Sequence, residues 1–207
     1  MNSIESLTLE VADTTAANRF YTAFGLSTQV LLRASDAPTT GFRGFSLSLT
    51  VSQPADVRGF VDAAVAAGAT ALKPVSKSFW GYGGVVQAPD GTIWKIATST
   101  KKDTAPATGH IDQLVLLLGV SNMTATKRFY VDRGFTVAKS FGSKYVEFDT
   151  GDSPVKLALY GRRALAKDVG VPIDGTGSHR LAITCATDAF TDPDGFGWEA
   201  ASLASTS

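Results

Sequence analysis

The 207-residue sequence predicts an α+β fold built from strand–helix–strand modules that occur in two copies. Two observations support this prediction. Short segments recur in the same order in both halves of the chain, and the spacing of apolar residues changes between the two-residue period of a strand and the longer period of a helix. The repeated segments pair Ile4–Val11 with Ile111–Leu118, Arg19–Leu26 with Arg128–Phe135, Thr40–Leu49 with Thr176–Cys185, and Ala88–Ala97 with Asp192–Ala201.

The unit begins with a strand and a helix. Apolar and polar residues alternate from Ser6 to Val11, which is typical of a strand with one buried face. Asp13 then stands at a helix N-cap position, residues 20–24 place aromatic side chains on one helical face, and Gly25 ends the helix. The sequence therefore predicts a strand followed by a short amphipathic helix.

A second strand and helix follow in the first half. Residues 45–51 alternate again, and residues 54–68 begin with a proline and end at a glycine, as expected of a helix. The Pro-Asp-Gly sequence at 89–91 predicts the turn before the last strand. We expect βαβββ modules with one module shortened in each half: a hairpin is missing between residues 19 and 41, and the second helix has no counterpart in the second half.

The domain organisation follows from the repeat. Polar residues 98–110 separate the halves and predict an exposed linker. We expect two domains, residues 1–99 and 110–207, joined by residues 100–109. The missing helix leaves one part of the second sheet without a cover, and a second copy of the chain is the candidate cover, which predicts a homodimer.

Composition and charge exclude several classes of partner. Basic and acidic residues number 19 each, so the net charge does not favour nucleic acid or an anionic membrane. The single cysteine, Cys185, excludes an internal disulfide and any multi-cysteine zinc site, and it fits a reducing cytoplasm. The first residues do not resemble a signal peptide, and no apolar run is long enough to cross a membrane. These features predict a cytoplasmic protein.

The order of these motifs resembles that of the vicinal oxygen chelate superfamily, which includes glyoxalase I, bleomycin-resistance proteins and extradiol dioxygenases. The resemblance rests on the opening strand, a helix that contains Phe-Tyr and ends at glycine, and a Pro-Asp-Gly turn followed by Trp and a charged residue. It covers nearly the whole chain, as two glyoxalase-like domains. It implies half-open curved sheets, here called cups, whose inner faces hold a divalent ion in the metal-using members.

The resemblance places candidate ligand positions on the first strand of each module and on the last strand of a domain. In the first half, strand alternation directs Ser6, Gly44 and Ser46 into the cup, and the last position holds Lys95. Because an ammonium group repels a divalent cation, this cup is expected to hold no metal.

The second half is closer to a metal site. Gln113 and Glu199 suit the ligand positions, but the third position holds Arg180, and a guanidinium is never a ligand. We expect Arg180 to pair with Glu199 and to supply the positive charge in place of a metal. The alternative is a shift of the strand by one residue, which would turn His179 into the cup and restore a metal site with Gln113 and Glu199.

Two further segments are candidate binding regions. Trp80 and Tyr82 stand beside three glycines, which allows close approach of the backbone to a flat ligand; the alternative is a hairpin whose aromatic rings cover the sheet. The basic segment 160–170 suits an anion, or else forms a solvated helix face.

The sequence thus predicts a protein that binds a small organic molecule without a catalytic metal, as implied by the resemblance to the bleomycin-resistance branch. The alternatives are a divalent-metal-dependent lyase or dioxygenase and a non-catalytic scaffold, which the fold alone does not distinguish. The expected ligand-binding residues are Ser6, Ser46, Trp80, Tyr82, Lys95, Gln113, Arg180 and Glu199.

Overall fold

The computed structural model describes residues 3–79, 81–186 and 188–201. Within these residues the chain forms four helices and fifteen strands. The helices are α1 Thr14–Phe24, α2 Pro54–Ala66, α3 Met123–Asp132 and α4 Arg162–Val169. The strands are β1 Ile4–Val11, β2 Leu31–Ala34, β3 Thr39–Gly41, β4 Phe45–Thr50, β5 Thr70–Ser78, β6 Gly81–Gln87, β7 Ile93–Thr98, β8 Gln113–Val120, β9 Thr136–Ser140, β10 Tyr145–Asp149, β11 Val155–Gly161, β12 Gly175–Gly177, β13 Leu181–Cys185, β14 Phe190–Thr191 and β15 Gly197–Ala200.

The strands form two curved sheets that are joined at one point. The eight-stranded cup has the order β5-β6-β7-β4-β8-β11-β10-β9, and the five-stranded cup has the order β14-β15-β13-β1-β2. The pair between Ile4 and Val155 connects the two. β3 and β12 form a separate two-stranded sheet. The fold is therefore α+β with half-open curved sheets, as the sequence predicts.

Each cup combines modules from both halves of the chain. In the eight-stranded cup, β4 of the first half pairs antiparallel with β8 of the second half. In the five-stranded cup, β1 pairs antiparallel with β13. Neither cup is made by one half alone, which differs from the arrangement expected above. The domain bounds 1–99 and 110–207 stay a prediction.

One module in each half is shortened, as predicted. The first module has only the four-residue β2 beside β1 after its helix, where a full module has three strands. The last module passes from β13 to β14 and β15 without a helix among its described residues. The five-stranded cup is made of these two shortened modules.

Strand alternation determines which side chains enter the core. Alternate residues of four strands are buried in one apolar cluster on the helix side of both cups. They are residues 7, 9 and 11 of β1, 45, 47 and 49 of β4, 114, 116 and 118 of β8, and 181, 183 and 185 of β13. The residues between them lie on the concave faces, which places the polar side chains of the sheet inside the cups.

The helices begin and end where the sequence predicts. Asp13 accepts a hydrogen bond from the amide of Ala16 at 2.9 Å, which caps α1. Asn122 caps α3 in the same way through Ala125, at 3.1 Å. Gly25 follows α1 with φ of 86°, a left-handed conformation that favours glycine.

The repeated tyrosine of α1 and α3 joins each helix to the Pro-Asp-Gly turn of the next module. Tyr21 Oη donates to Asp90 at 2.8 Å, and Tyr130 Oη donates to Asp192 at 2.8 Å. The two aspartates are not equivalent in the repeat, because Asp194 is the residue that aligns with Asp90. The four modules begin with β1, β4, β8 and β13 and are numbered one to four in that order. The helix side therefore connects modules one to two and three to four, whereas the strand pairing connects two to three and one to four.

The connector between the halves is exposed but extensively hydrogen-bonded to α2. The side-chain oxygen of Gln53 accepts from the amide of Thr104 at 2.9 Å, and its nitrogen donates to the carbonyl of Pro106 at 3.0 Å. Asp56 Oδ1 accepts from the amides of Thr108 at 2.6 Å and Gly109 at 2.9 Å. Two buried polar residues, the N-cap residue Gln53 and Asp56 in the first turn of α2, thus fix the segment that leads into β8.

A helix that could span a membrane is not found among the described residues. In the shortened last module, which has no helix among its described residues, aromatic side chains pack against each other and against α3. The ring of Phe190 stacks on Trp198 with centroids 5.1 Å apart, and the guanidinium of Arg133 lies 3.6 Å from the centroid of Phe129. Homodimer formation stays a prediction.

Candidate functional site

The two cups divide the candidate ligand positions differently from the sequence-based expectation. β4, β7 and β8 bring Ser46, Lys95 and Gln113 to the concave face of the eight-stranded cup. β1, β13 and β15 bring Ser6 and Glu199 to the five-stranded cup, each beside Thr184. Gln113 and Glu199, the two residues with metal-ligating side chains, therefore belong to different cups.

An ion network fills the mouth of the five-stranded cup. Arg33 of β2 binds Glu199 through both terminal nitrogens, at 2.8 and 3.2 Å, and binds Glu10 of β1 at 2.7 Å. Because these hydrogen bonds favour the charged form, they raise the pKa of Arg33. The guanidinium connects opposite walls of this cup, from β2 to β15.

The sequence did not indicate Arg33, and the pairing with Glu199 was expected of Arg180 instead. Arg180 Nη1 instead donates to the carbonyl of Ser35, and its buried Nε has no hydrogen-bond partner. Arg180 also has φ of 55°, the one non-glycine residue with positive φ among those described. This backbone conformation directs the side chain to the end of β2, away from the carboxylate of Glu199 in β15.

His179 is turned away from the metal position by its own contacts. Its Nδ1 lies 2.5 Å from the carbonyl of Arg43 and its Nε2 lies 3.1 Å from the carbonyl of Asp194. The ring stacks on Phe196 with centroids 4.0 Å apart. A metal-ligating histidine needs one ring nitrogen with a free lone pair, and here both nitrogens face backbone oxygens. No group of three His, Cys, Asp or Glu residues that could hold a metal occurs in the part of the chain that the structure describes.

A helix fills one end of the eight-stranded cup. Leu165, Ala166 and Val169 of α4 are buried in a second apolar cluster, against Val85 and Ile93 of the sheet. Arg163 and Lys167 of α4 are exposed, which agrees with the solvated-face interpretation, whereas Arg162 is half-buried and donates to the carbonyl of Phe42 at 2.9 Å. α4 thus buries part of the concave face of the sheet as core.

Two lysines of the sheet, Lys95 and Lys73, make polar contacts with this helix. The ammonium of Lys95 lies 2.7 Å from the carboxylate of Asp168, and each side chain is 32% exposed. Lys73 of β5 donates to the carbonyls of Lys167 and Asp168 at 2.8 and 2.6 Å, which satisfies the C-terminal end of α4. Burial and the charge of Asp168 raise the pKa of Tyr160 in β11.

The other end of the eight-stranded cup is an open cleft of about 350 Å³. It exists because small residues occupy the concave positions of two neighbouring strands: Gly81 and Gly83 of β6 lie beside Ala97 of β7. Gly81 has φ of 143°, and a Cβ there would clash with the carbonyl of Thr98. Lys95 and Asp168 form the inner wall of this cleft.

The remaining candidates have varied positions. Tyr82 lines the cleft, but its ring lies under the guanidinium of Arg58 of α2, at 5.8 Å, on the helix side. Ser46 is fully buried and its hydroxyl has no partner. Ser6 and Gln113 both line a second cavity, of about 370 Å³, where the two cups meet. Trp80 lies outside the described residues.

Comparison with known proteins supports the architecture. No family model and no curated protein sequence matches the chain. Glyoxalase I from Zea mays is similar in structure, with a TM-score of 0.61, 13% identity, and coverage of 96% of this chain and 91% of that chain. Its V278E variant gives a TM-score of 0.62 at 12% identity, covering 97% and 92%.

A candidate dioxygenase from Bacillus subtilis is also similar, with a TM-score of 0.61, 12% identity, and coverage of 96% of this chain and 84% of that chain. All three matches extend over nearly the whole chain, which fits the tandem arrangement of modules. At these identities the likeness concerns the fold, because one fold hosts many chemistries. The chain therefore has the fold of glyoxalase I, which is the fold that the resemblance in its sequence implies.

Proposed function

We propose that this protein binds a small organic molecule in the open cleft of the eight-stranded cup, without a catalytic metal. The observation that carries the proposal is the ion pair between Lys95 and Asp168 at the inner wall of a 350 Å³ cleft. A cavity of this size, with a mostly apolar lining and a few polar groups, is typical of a small-molecule site.

The donor sets of the two cups do not fit a divalent ion. The concave face of the eight-stranded cup offers the hydroxyl of Ser46, the amide of Gln113 and the ammonium of Lys95 at the candidate positions. In the five-stranded cup the carboxylates of Glu10 and Glu199 are both bound to Arg33. Lys95 itself occupies the candidate position of the eight-stranded cup, and Arg33 pairs with the candidate ligand Glu199 of the five-stranded cup, which supports a function that does not need a metal.

Ligand binding is tested by thermal shift and calorimetry with a panel of small organic molecules. We expect at least one to raise the melting temperature, because a ligand that binds only the folded state stabilises it. Ala97→Leu, which fills the cleft, should abolish the shift, whereas Ala66→Leu on the exposed face of α2 should retain it. If both variants bind equally, the ligand site lies elsewhere.

The metal-dependent alternative is tested in the same assay. Manganese, nickel, zinc or iron(II), added to protein purified without chelator, should leave the melting temperature unchanged. A stabilisation that Glu199→Gln removes would favour a metal site in the five-stranded cup and contradict the proposal. A cytoplasmic location and a homodimer stay predictions.

A further inference from the structure

The cleft of the eight-stranded cup contains an internal carboxylate at its inner wall. Asp168 belongs to α4, which enters the cup from one end, whereas Lys95 belongs to the sheet itself. The pair is 2.7 Å apart and one third of each side chain is exposed. The structure thus shows a carboxylate bound to Lys95 at the edge of an open cavity.

The charges that face the cleft favour an anion. Two ammonium groups, Lys73 and Lys95, and one carboxylate, Asp168, line it. Lys73 is held by the last carbonyls of α4, and Asp168 lies in the last turn of that helix, where the helix dipole disfavours a negative charge. Asp168 is therefore a weak competitor for the ammonium of Lys95.

The rest of the cleft suits an uncharged, mostly apolar body. Gly81 and Gly83 line it with backbone in place of side chains, and Ala97 contributes a single methyl group beside them. Ser76 of β5 lies opposite Gly83 of β6 and adds a hydroxyl at the rim. A compact apolar group fits against this surface without displacing a larger side chain.

We infer that the cleft takes small organic monocarboxylates: the ligand carboxylate binds the Lys95 ammonium in place of Asp168, and its apolar body lies along Gly81, Gly83 and Ala97. This inference rests on the proposed function, since it names the ligand class of the same cleft. One carboxylate replaces another at the same ammonium, so the exchange itself costs little, and the additional apolar contacts of the ligand make binding favourable.

The test uses benzoate and its neutral isostere benzamide as probes, with affinities measured by calorimetry. We expect benzoate to bind about tenfold more tightly than benzamide, because a charge-assisted hydrogen bond to an ammonium is worth about that factor. Lys95→Met should remove the preference. Lys139→Met is the matched control, because Lys139 also pairs with a carboxylate, Glu147, but on the opposite wall of the same cup and outside the cleft.

Asp168→Asn tests the exchange itself. Removal of the internal competitor should raise the affinity for benzoate about threefold or more and leave benzamide unaffected. An unchanged or lower benzoate affinity in a variant with a wild-type melting temperature would overturn the inference. If Asp168→Asn is unstable, the loss of preference in Lys95→Met decides alone, since that variant keeps all apolar contacts of α4.

The outcomes separate this inference from the proposed function. Binding of neutral molecules that Ala97→Leu blocks but Lys95→Met leaves intact would reject the carboxylate assignment and retain the ligand cleft. Failure of the whole panel, benzoate included, would reject both.

Discussion

The two cups of this protein begin from the same repeated module and differ in how their interiors are filled. The eight-stranded cup is made of the two consecutive central modules and contains a helix, α4, packed into one end. The five-stranded cup is made of the first and last modules and is closed by Arg33 between two glutamates. In each cup a charge at the repeated position, Lys95 or Glu199, is neutralised by a side chain from outside the repeat.

This difference shows that a curved sheet needs its concave face satisfied, by whichever chemistry the sequence provides. An apolar helix suits the eight-stranded cup, because eight strands enclose enough surface to bury it. The five-stranded cup encloses less surface, so its polar side chains pair with each other near solvent. The first kind of filling should contribute far more to stability than the second.

The largest expected loss of stability comes from a substitution in the eight-stranded cup. Leu165→Ala leaves a cavity between α4 and the sheet and should lower the free energy of unfolding by about 2 to 5 kcal/mol. Denaturant unfolding measures it. Val65→Ala, at an exposed position of α2, should change stability by less than about 0.5 kcal/mol. A loss at Leu165 as small as at Val65 would mean that α4 is not part of the core.

The next effect compares the two tyrosines that join helix to turn. Tyr130→Phe removes a donor from Asp192, which is buried, and an acceptor from Trp198 Nε1 at 3.1 Å. We expect a loss of about 1 to 3 kcal/mol, because the remaining groups stay buried and unpaired. Tyr21→Phe removes only the bond to Asp90 and should cost less. Equal losses of stability in the two variants would show that pairing Tyr130 with Asp192, rather than with the aligned Asp194, does not change the strength of the contact.

A third effect concerns the connector that leads into the eight-stranded cup. Burial alone would raise the pKa of Asp56, but the hydrogen bonds from Thr108 and Gly109 outweigh it and lower the pKa below its usual value. The ionised carboxylate thus stabilises the folded state above the unfolded-state pKa of about 3.9, and this contribution is lost as pH falls through the lower folded-state value.

Asp56→Asn should therefore cost about 1 to 3 kcal/mol at pH 7 and progressively less below about pH 4. Urea unfolding of both proteins across this range measures the difference. A difference that stays constant with pH would mean that shape rather than charge fixes the connector.

The smallest effect is expected in the five-stranded cup. Arg33→Gln breaks both ion pairs, but Arg33 and Glu199 are nearly half exposed, so the loss should be about 1 kcal/mol or less. The difference should shrink further in 1 M salt, where exposed charges are screened. Lys139→Gln provides the comparison for an exposed pair on an outer strand of the other cup. A loss above about 2 kcal/mol at Arg33 would contradict the contrast between the cups.

Much of the fold can be predicted from the sequence, since alternation in β1, β4, β8 and β13 directly reports which face is buried. The missing hairpin and helix can also be predicted, because comparison of the two repeats shows which segment each half lacks. The pairing of the modules cannot be predicted, since a duplicated sequence looks the same whether modules pair within a half or across halves. The expected grouping of Gln113 with Glu199 failed for this reason.

The candidate site could be predicted only where it lies within the repeat. Lys95 and Glu199 were found because they align with each other, whereas their partners Asp168 and Arg33 lie in segments without a counterpart in the other half. One local signal was present: Leu165 and Val169 are four residues apart in an otherwise polar helix, which is the spacing of a buried stripe. Arg180 was misassigned because its positive φ breaks the alternation on which the assignment depended.

The five-stranded cup also brings the two ends of the described chain together. Ile4 lies opposite Cys185 in the β1–β13 pair, and the amide of Ala201 donates to the carbonyl of Cys185 at 2.9 Å. A circular permutant that joins these ends and opens the exposed connector would place the last module directly before the first. The five-stranded cup would then form from neighbouring segments and the eight-stranded cup from distant ones, so we expect the permutant to favour early assembly of the five-stranded cup.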